Sequence, residues 1–177
     1  MFEHLVLTRP LAIFDLETTG TSPERDRIVE ISVVKALPGG DVETKTRRVN
    51  PGMPIPKAAT AVHKISDADV AGEPHFRQLA KGLLEFLDGC DLCGFNIRRF
   101  DLPFLNAEFR RSGLEFSVQG RAVRGTYVAG VEPGLVISSG QHANETSGPI
   151  GALRAAQQLR QRREHCSSLP SRLAHRG

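Results

Sequence analysis

Residues 11–20 read Leu-Ala-Ile-Phe-Asp-Leu-Glu-Thr-Thr-Gly (LAIFDLETTG). The run Leu11–Phe14 is short and apolar, and it leads into a Thr-Thr-Gly turn at residues 18–20, a pattern typical of a buried strand. If the strand continues through Glu17, then Asp15 and Glu17 point to the same face of the sheet, because side chains alternate along a strand. The stretch therefore predicts a buried strand that ends with two acids on one face.

The segments that follow this strand carry alternating strand and helix patterns. The apolar and turn residues predict strands over residues 27–37, 42–49 and 91–94, and the second of these is an exposed edge. Helices are predicted over residues 57–62, after Ser66, over 75–87 and over 103–111. A strand meander followed by strand, helix, strand and helix predicts an α/β fold with a mixed sheet flanked by helices.

The charge distribution divides the 177 residues into two parts. Fifteen Lys and Arg stand against seventeen Asp and Glu up to Val118, whereas eight Arg stand against three Glu from Gln119 onward. The last 59 residues contain neither Lys, Asp nor Phe, and Gly, Ser, Pro and Arg dominate much of them. We therefore predict an α/β domain over residues 1–122 and a basic tail over 123–177 that is loop-rich or disordered.

Composition excludes several classes of protein. Three cysteines cannot build a disulfide scaffold, and no run of about 18 apolar residues could span a membrane. The first residues lack the pattern of a signal peptide, so we expect a reducing cytoplasm and no membrane partner. Cys90 and Cys93 form a C-x-x-C pair with no second pair or suitably spaced His, which favours core thiols over zinc.

Asp15 and Glu17 are the first candidates for chemistry. Two carboxylates about 4 Å apart repel by roughly 4 kcal/mol at an effective dielectric near 20, so protonation, a basic side chain or a divalent cation must offset the repulsion. Hard oxygen ligands at a strand end suit Mg²⁺ or Mn²⁺. On spacing alone, two solvated acids remain an alternative.

Two further segments carry candidate residues with simpler alternatives. In residues 94–105 (GFNIRRFDLPFL), Asp101 precedes a helix pattern and could act only as its cap. In residues 55–66 (IPKAATAVHKIS), His63 ends a short helix and could be an ordinary surface histidine. Neither segment alone indicates a function.

Taken together and in order, the three segments resemble one family. Residues 15–20 (DLETTG) resemble the first exonuclease motif of the DEDD, or DnaQ-like, 3′–5′ exonucleases, and residues 94–105 resemble the second, in which an Asn or His precedes a Phe-Asp pair. Residues 50–65 (NPGMPIPKAATAVHKI) are similar to the segment that marks the proofreading epsilon-subunit branch of bacterial DNA polymerase III. The resemblance spans about residues 9–122.

The resemblance implies an RNase-H-like fold, with a five-stranded mixed sheet, and two-metal-ion hydrolysis of phosphodiester bonds at single-stranded DNA 3′ ends. It implies that Asp15, Glu17 and Asp101 are catalytic and hold two Mg²⁺ or Mn²⁺ ions. It also implies a substrate pocket whose members come from all three segments: Leu16, Thr18, His63, Asn96 and Phe100. An RNA substrate and a DNA polymerase partner both remain open.

The third motif of the family, a His followed five residues later by an Asp, is absent. No Asp follows Asp101, and the residues five positions beyond His142 and His165 are Ser147 and Pro170. The altered composition of the tail favours translation in a changed reading frame or a divergent replacement. The alternative function is therefore a catalytically impaired or inactive relative that only binds nucleic-acid ends.

Overall fold

The computed structural model describes residues 7–126, which form nine helices and strands. Three strands and three helices come first, and a strand, a helix and a final strand follow: β1 Leu11–Thr18, β2 Ile28–Ala36, β3 Val42–Arg48, α1 Lys57–His63, α2 Asp67–Val70, α3 Phe76–Leu87, β4 Asp91–Phe95, α4 Asp101–Arg111 and β5 Val123–Thr126. The predicted elements are all present, with ends that shift by one to a few residues.

The five strands form one mixed sheet in the order β3-β2-β1-β4-β5. β1 pairs antiparallel with β2 and parallel with β4, β2 pairs antiparallel with β3, and β4 pairs parallel with β5. β1 therefore lies in the centre of the sheet, and its carboxyl end is the place where residues from β2 and β4 converge. The α/β class and the mixed sheet predicted from the sequence are confirmed.

One face of the sheet carries the main hydrophobic core. Phe14 and Leu16 of β1 are buried in this core together with α3 and α4 side chains. Ring contacts join the helices: Phe76 of α3 meets Phe109 of α4 edge-on at 5.4 Å between centroids, and Phe109 stacks on Phe116 at 5.1 Å. Such aromatic pairs add about 0.5–1.5 kcal/mol each beyond their burial.

The outer strand β3 is the exposed edge that the sequence predicts. All seven of its residues are exposed, and alternating charged side chains are a common protection against pairing with another sheet. On β2, Ser32 meets Thr46 of β3 at 2.7 Å between hydroxyl oxygens, on the sheet face opposite the main core.

Strand β4 approaches β1 closely because it carries Gly94. A Cβ atom at this position would lie 2.7 Å from the backbone oxygen of Phe14, which is shorter than a normal contact. The glycine therefore permits the spacing that brings the ends of β1 and β4 together.

The sheet extends beyond the predicted domain boundary. Strand β5 begins at Val123 and pairs with β4 through Thr126, whereas the sequence assigned residues from 123 onward to the tail. The rest of that tail lies outside the described residues. Helix α4 also begins two residues earlier than predicted, at Asp101.

Within residues 7–126, no helix is long and apolar enough to cross a membrane. Cys90 and Cys93 are both buried free thiols, as predicted, and burial is the main cause that raises the pKa of each.

Candidate active site

Asp15 and Glu17 lie on the face of β1 opposite the main core. They alternate with Phe14 and Leu16, which point into that core, and both acids are half-buried. The sequence expectation that the two acids share a face is therefore confirmed. A β-bulge follows directly, where the pairing with β2 shifts between Glu17 and Thr18; bulges of this kind often re-aim side chains next to active sites.

Asp101 occupies the first position of α4, directly after Phe100, which is the residue flanking the helix. Phe100 therefore holds the cap position, and Asp101 lies in the first turn of the helix instead. Asp101 is 1% exposed, and its Oδ1 atom has no hydrogen-bond partner among residues 7–126. A buried carboxylate oxygen without a donor is costly unless a proton or a cation satisfies it.

The three acids form one electrostatic group. Burial is the largest cause that raises the pKa of Asp15 to about 6 and the pKa values of Glu17 and Asp101 to about 8. Repulsion from Asp15 and Asp101 adds to the increase at Glu17, and repulsion from Asp15 adds to it at Asp101. The backbone amide of Leu16 opposes the increase at both Asp15 and Asp101, which places these two carboxyl groups beside the same amide.

A fourth acid, Glu30, joins the group and was missed from the sequence. It lies directly opposite Glu17 in the β1–β2 register, and its charge raises the pKa values of Asp15 and Glu17. Its Oε2 atom lies 3.5 Å from Nε of Arg48, its partner on β3. The sequence did contain a signal for Glu30. It is the single acid in the run Ile28–Val34, whose other residues are apolar except for Ser32.

A bound cation would offset the repulsion among these acids. Carboxylate oxygens are the donors preferred by Mg²⁺ and Mn²⁺, and the partnerless Oδ1 atom of Asp101 is a vacant donor of this type. As the side chains stand, the described residues contain no group of three or more His, Cys, Asp or Glu side chains arranged to hold a metal ion. The chemistry of these oxygen ligands nevertheless fits a divalent ion.

Leu16 and Thr18 flank the acids along β1. The Leu16 side chain is 4% exposed and belongs to the core, so only its backbone is available to a substrate. Thr18 is also buried, and its hydroxyl donates to the carbonyl of Gly20 at 2.6 Å. The hydroxyl thus stabilises the turn that ends β1.

His63 ends α1 and is half-buried rather than fully on the surface. Its Nδ1 atom accepts a hydrogen bond from the Ile65 amide at 3.1 Å, while Nε2 is buried with no partner among the described residues. Burial lowers the pKa of His63, and the proximity of the Thr18 backbone opposes this decrease. The contact brings the His63 segment to the end of β1, beside the acids.

The next residue, Lys64, has a left-handed backbone with φ of 65°. This conformation reverses the chain after α1 and is unfavourable for a residue with a Cβ atom. The position of His63 is therefore accompanied by an unfavourable backbone conformation at Lys64.

Asn96 and Phe100 belong to the turn between β4 and α4. Asn96 has φ of 49°, and its carbonyl accepts from the amides of Arg99 and Phe100 at 2.9 and 3.1 Å. Phe100 packs against Phe104 at 4.9 Å between ring centroids, at the border of the core. The described structure therefore places Phe100 partly inside the protein.

Phe95 is a more exposed aromatic residue that the sequence interpretation passed over. Cys93 pairs with Ile13 of β1, so both lie on the same face as Asp15. Phe95 lies two residues beyond Cys93 and shares this face, and it is 54% exposed. A large exposed aromatic side chain next to an acidic site is suited to stacking on a base.

A central strand that carries two acids, with a buried acid from a neighbouring helix beside it, is an arrangement suited to a metal-dependent nuclease. The chain belongs to the exonuclease family: the sequence model of that family, described as Exonuclease, matches residues 12–119. The predicted membership is thus confirmed, and with it a nuclease activity at the level of the family.

Several relatives carry exonuclease or polymerase names. The chain is 40% identical over 107 residues to a DNA polymerase III subunit epsilon-like protein of Rhodobacter capsulatus. This alignment covers 59% of this chain and 15% of that protein. It is 33% identical over 106 residues to DNA polymerase III subunit epsilon of Treponema pallidum, covering 60% and 47% of the two chains. The match therefore spans less than half of each of these relatives.

Solved structures confirm the RNase-H-like fold. E. coli exonuclease I in complex with a dT13 oligonucleotide superimposes with a TM-score of 0.59 at 16% identity, over 66% of this chain and 27% of that one. At this identity, the similarity concerns the fold.

Proposed function

We propose that this protein is a 3′–5′ exonuclease that hydrolyses phosphodiester bonds at single-stranded DNA 3′ ends with two divalent metal ions. The single observation that carries the proposal is the convergence of Asp15, Glu17 and Asp101 at the end of the central strand, where Asp15 raises the pKa of both other acids and Asp101 raises that of Glu17. Three buried or half-buried acids that repel one another are unfavourable in an isolated protein, and such strain is typical of functional sites.

Asp15, Glu17 and Asp101 would hold the ions, with Asp15 between the other two. Divalent ions bound there would supply an activated water and would stabilise the leaving oxygen during in-line displacement. We infer that the carboxylates approach one another when their charge is neutralised, because their mutual repulsion is then removed. The Oδ1 atom of Asp101, which has no hydrogen-bond partner among the described residues, would serve as a ligand to such an ion.

The remaining residues of the site suit a nucleic-acid 3′ end. The backbone of Leu16 and the turn at Thr18 would contact the terminal nucleotide, and His63, with its buried free Nε2, would face the same place. Asn96 and Phe100 would line the pocket, and the exposed ring of Phe95 would offer an additional stacking surface. Single-stranded DNA is favoured because a structural relative binds a dT13 oligonucleotide. A DNA polymerase partner is favoured by the names of the sequence relatives.

The test is a time course with a 3′-labelled single strand and Mn²⁺, comparing the wild type with Asp15→Asn and with Asp41→Asn. Asp41 lies in an exposed turn, so its variant controls for the loss of one negative charge. We expect release of labelled mononucleotide by the wild type and Asp41→Asn, and at least a 100-fold slower release by Asp15→Asn. Equal rates for all three proteins would refute the proposal.

A second candidate is an exonuclease relative that binds nucleic-acid ends without turnover. The specific observation in its favour is the sequence itself, which contains no Asp after Asp101 and hence no His-x4-Asp motif. Loss of a general base typically costs about 10²–10⁴-fold in rate. Binding of the labelled strand by the wild type, with turnover no faster than that of Asp15→Asn, would support this candidate.

A further inference from the structure

A polar cavity of about 300 Å³ lies away from the acidic site, between the start of β2, the start of α3 and the end of α4. None of the acids of the candidate active site lines it. Three arginines line the cavity: Arg27 at the start of β2, Arg77 at the start of α3 and Arg111 at the end of α4. Among the described residues, Glu108 is the single carboxylate in the lining, so the cavity carries an excess of positive charge.

The ion pairs inside the cavity do not balance this excess. Glu108 is 4% exposed and is shared by two arginines, with 3.5 Å between its Oε2 and Nη1 of Arg27, and 3.3 Å between its Oε1 and Nη1 of Arg111. One carboxylate thus faces two guanidinium groups. Apart from its ion pair with Glu108, the buried Nη1 atom of Arg111 makes no hydrogen bond among residues 7–126.

The start of α3 adds to the positive potential. This twelve-residue helix has no acid in its first turn, and Arg77 occupies that turn instead. Acids stabilise helix N-termini, whereas a cation there is unfavourable. Arg77 is exposed and forms no hydrogen bond or ion pair within the described residues. Its guanidinium group is free to bind an added anion.

We propose that this cavity binds a phosphate group, carried either by a free nucleotide or by a nucleic-acid strand. Guanidinium groups recognise phosphate oxygens by paired, charge-assisted hydrogen bonds. An anion there would pair with Arg77 and offset the positive charge that Arg27 and Arg111 leave in excess over Glu108. This phosphate site goes beyond the proposed exonuclease reaction and does not depend on it.

Its position gives the site a direct link to the end of β1. The amide of Arg27 donates to the Thr19 hydroxyl at 3.0 Å, and the Arg27 carbonyl accepts from the Thr19 amide at 2.9 Å. Thr19 follows Thr18 in the turn beside the acids. These backbone contacts join the wall of the cavity to the turn that follows β1.

The experiment measures binding in metal-free buffer, where the acidic site cannot contribute through an ion. Inorganic phosphate, thymidine 5′-monophosphate and a short oligothymidylate are titrated separately into the wild type, Arg77→Gln and Lys81→Gln. Lys81 lies one turn further along α3, is exposed and does not line the cavity. Its variant removes the same charge from the same helix.

We expect Arg77→Gln to weaken phosphate binding by about 5- to 10-fold, with the thermal midpoint unchanged, and Lys81→Gln to weaken it less than twofold. If a nucleic-acid strand is the ligand, Arg77→Gln weakens oligonucleotide binding by the same factor. The salt dependence of that binding then falls by the equivalent of about one phosphate contact. If a free nucleotide is the ligand, the loss is confined to phosphate and the monophosphate. Equal weakening by both variants, or no phosphate binding by the wild type, would overturn the proposal.

Discussion

Replacement of Asp101 by Asn should stabilise the metal-free protein at alkaline pH. Asp101 is 1% exposed, one of its oxygens has no partner among the described residues, and burial raises its pKa from 3.8 to about 8. Asn has nearly the same shape and no charge. The substitution therefore removes the cost of ionising a buried acid while it keeps the packing at the start of α4.

The magnitude follows from the pKa shift of Asp101. A shift from 3.8 to about 8 corresponds, at about 1.4 kcal/mol per unit, to on the order of 5 kcal/mol for complete ionisation. The Asn side chain buries an amide of its own, which costs about 1–2 kcal/mol if it stays unpaired. We therefore expect a net gain of about 3–4 kcal/mol in the free energy of unfolding at pH 8.5, or roughly 10 °C in the thermal midpoint.

The sign of the pH dependence is fixed by the direction of the shift. The folded-state pKa of Asp101 is raised, so the ionisation penalty is absent below about pH 4, grows as the pH rises and is complete above about pH 8. The advantage of Asp101→Asn should accordingly be large at pH 8.5 and small at pH 5, where the wild-type carboxyl group is protonated in the folded protein.

The assay is thermal or urea unfolding at both pH values in the presence of a chelator, with Asp41→Asn as the control for an exposed acid. A gain at pH 8.5 that disappears near pH 5, and no gain from Asp41→Asn, is the expected pattern. The reasoning would be refuted by a gain of equal size at both pH values, or by destabilisation of Asp101→Asn at pH 8.5.

Three further predictions concern single residues. Gly94→Ala should destabilise the protein by about 1–3 kcal/mol, because the new Cβ atom would lie 2.7 Å from the Phe14 carbonyl oxygen; an unchanged urea midpoint would contradict the close strand contact. Lys64→Gly should raise the free energy of unfolding by about 0.5–1 kcal/mol, since φ of 65° favours glycine, and a lower midpoint would exclude this explanation. Glu30→Gln should lower the pKa of Glu17, because a repelling charge is removed; carboxyl NMR titration would detect this, and an unmoved Glu17 titration would show that the two acids are not coupled.

The sequence predicted the sheet and its helices well because the signals were local. The run Leu11–Phe14, the Pro-Gly-Gly turn at residues 38–40 and the helical spacing within 75–87 each depend on neighbouring residues. Strand β5 was missed because Val123–Thr126 is short and lies where the composition has already changed. Its pairing with β4 is a long-range interaction that no local pattern reports.

The candidate site was predicted only in part, for a related reason. Asp15 and Glu17 were found because their spacing places them on one face, and Asp101 was found through the family resemblance. Glu30 was missed because its importance depends on the register that sets it opposite Glu17. The role of Asp101 as a buried acid, rather than a cap, likewise required its position at the start of α4.

Calorimetric titration with Mn²⁺ tests whether Asp15, Glu17 and Asp101 together hold divalent ions. We expect the wild type and Asp41→Asn to bind Mn²⁺ with matching affinity, and Asp15→Asn and Asp101→Asn each to bind it at least tenfold more weakly. Binding of equal strength by all four proteins, or no binding by the wild type, would contradict a metal site formed by these three acids.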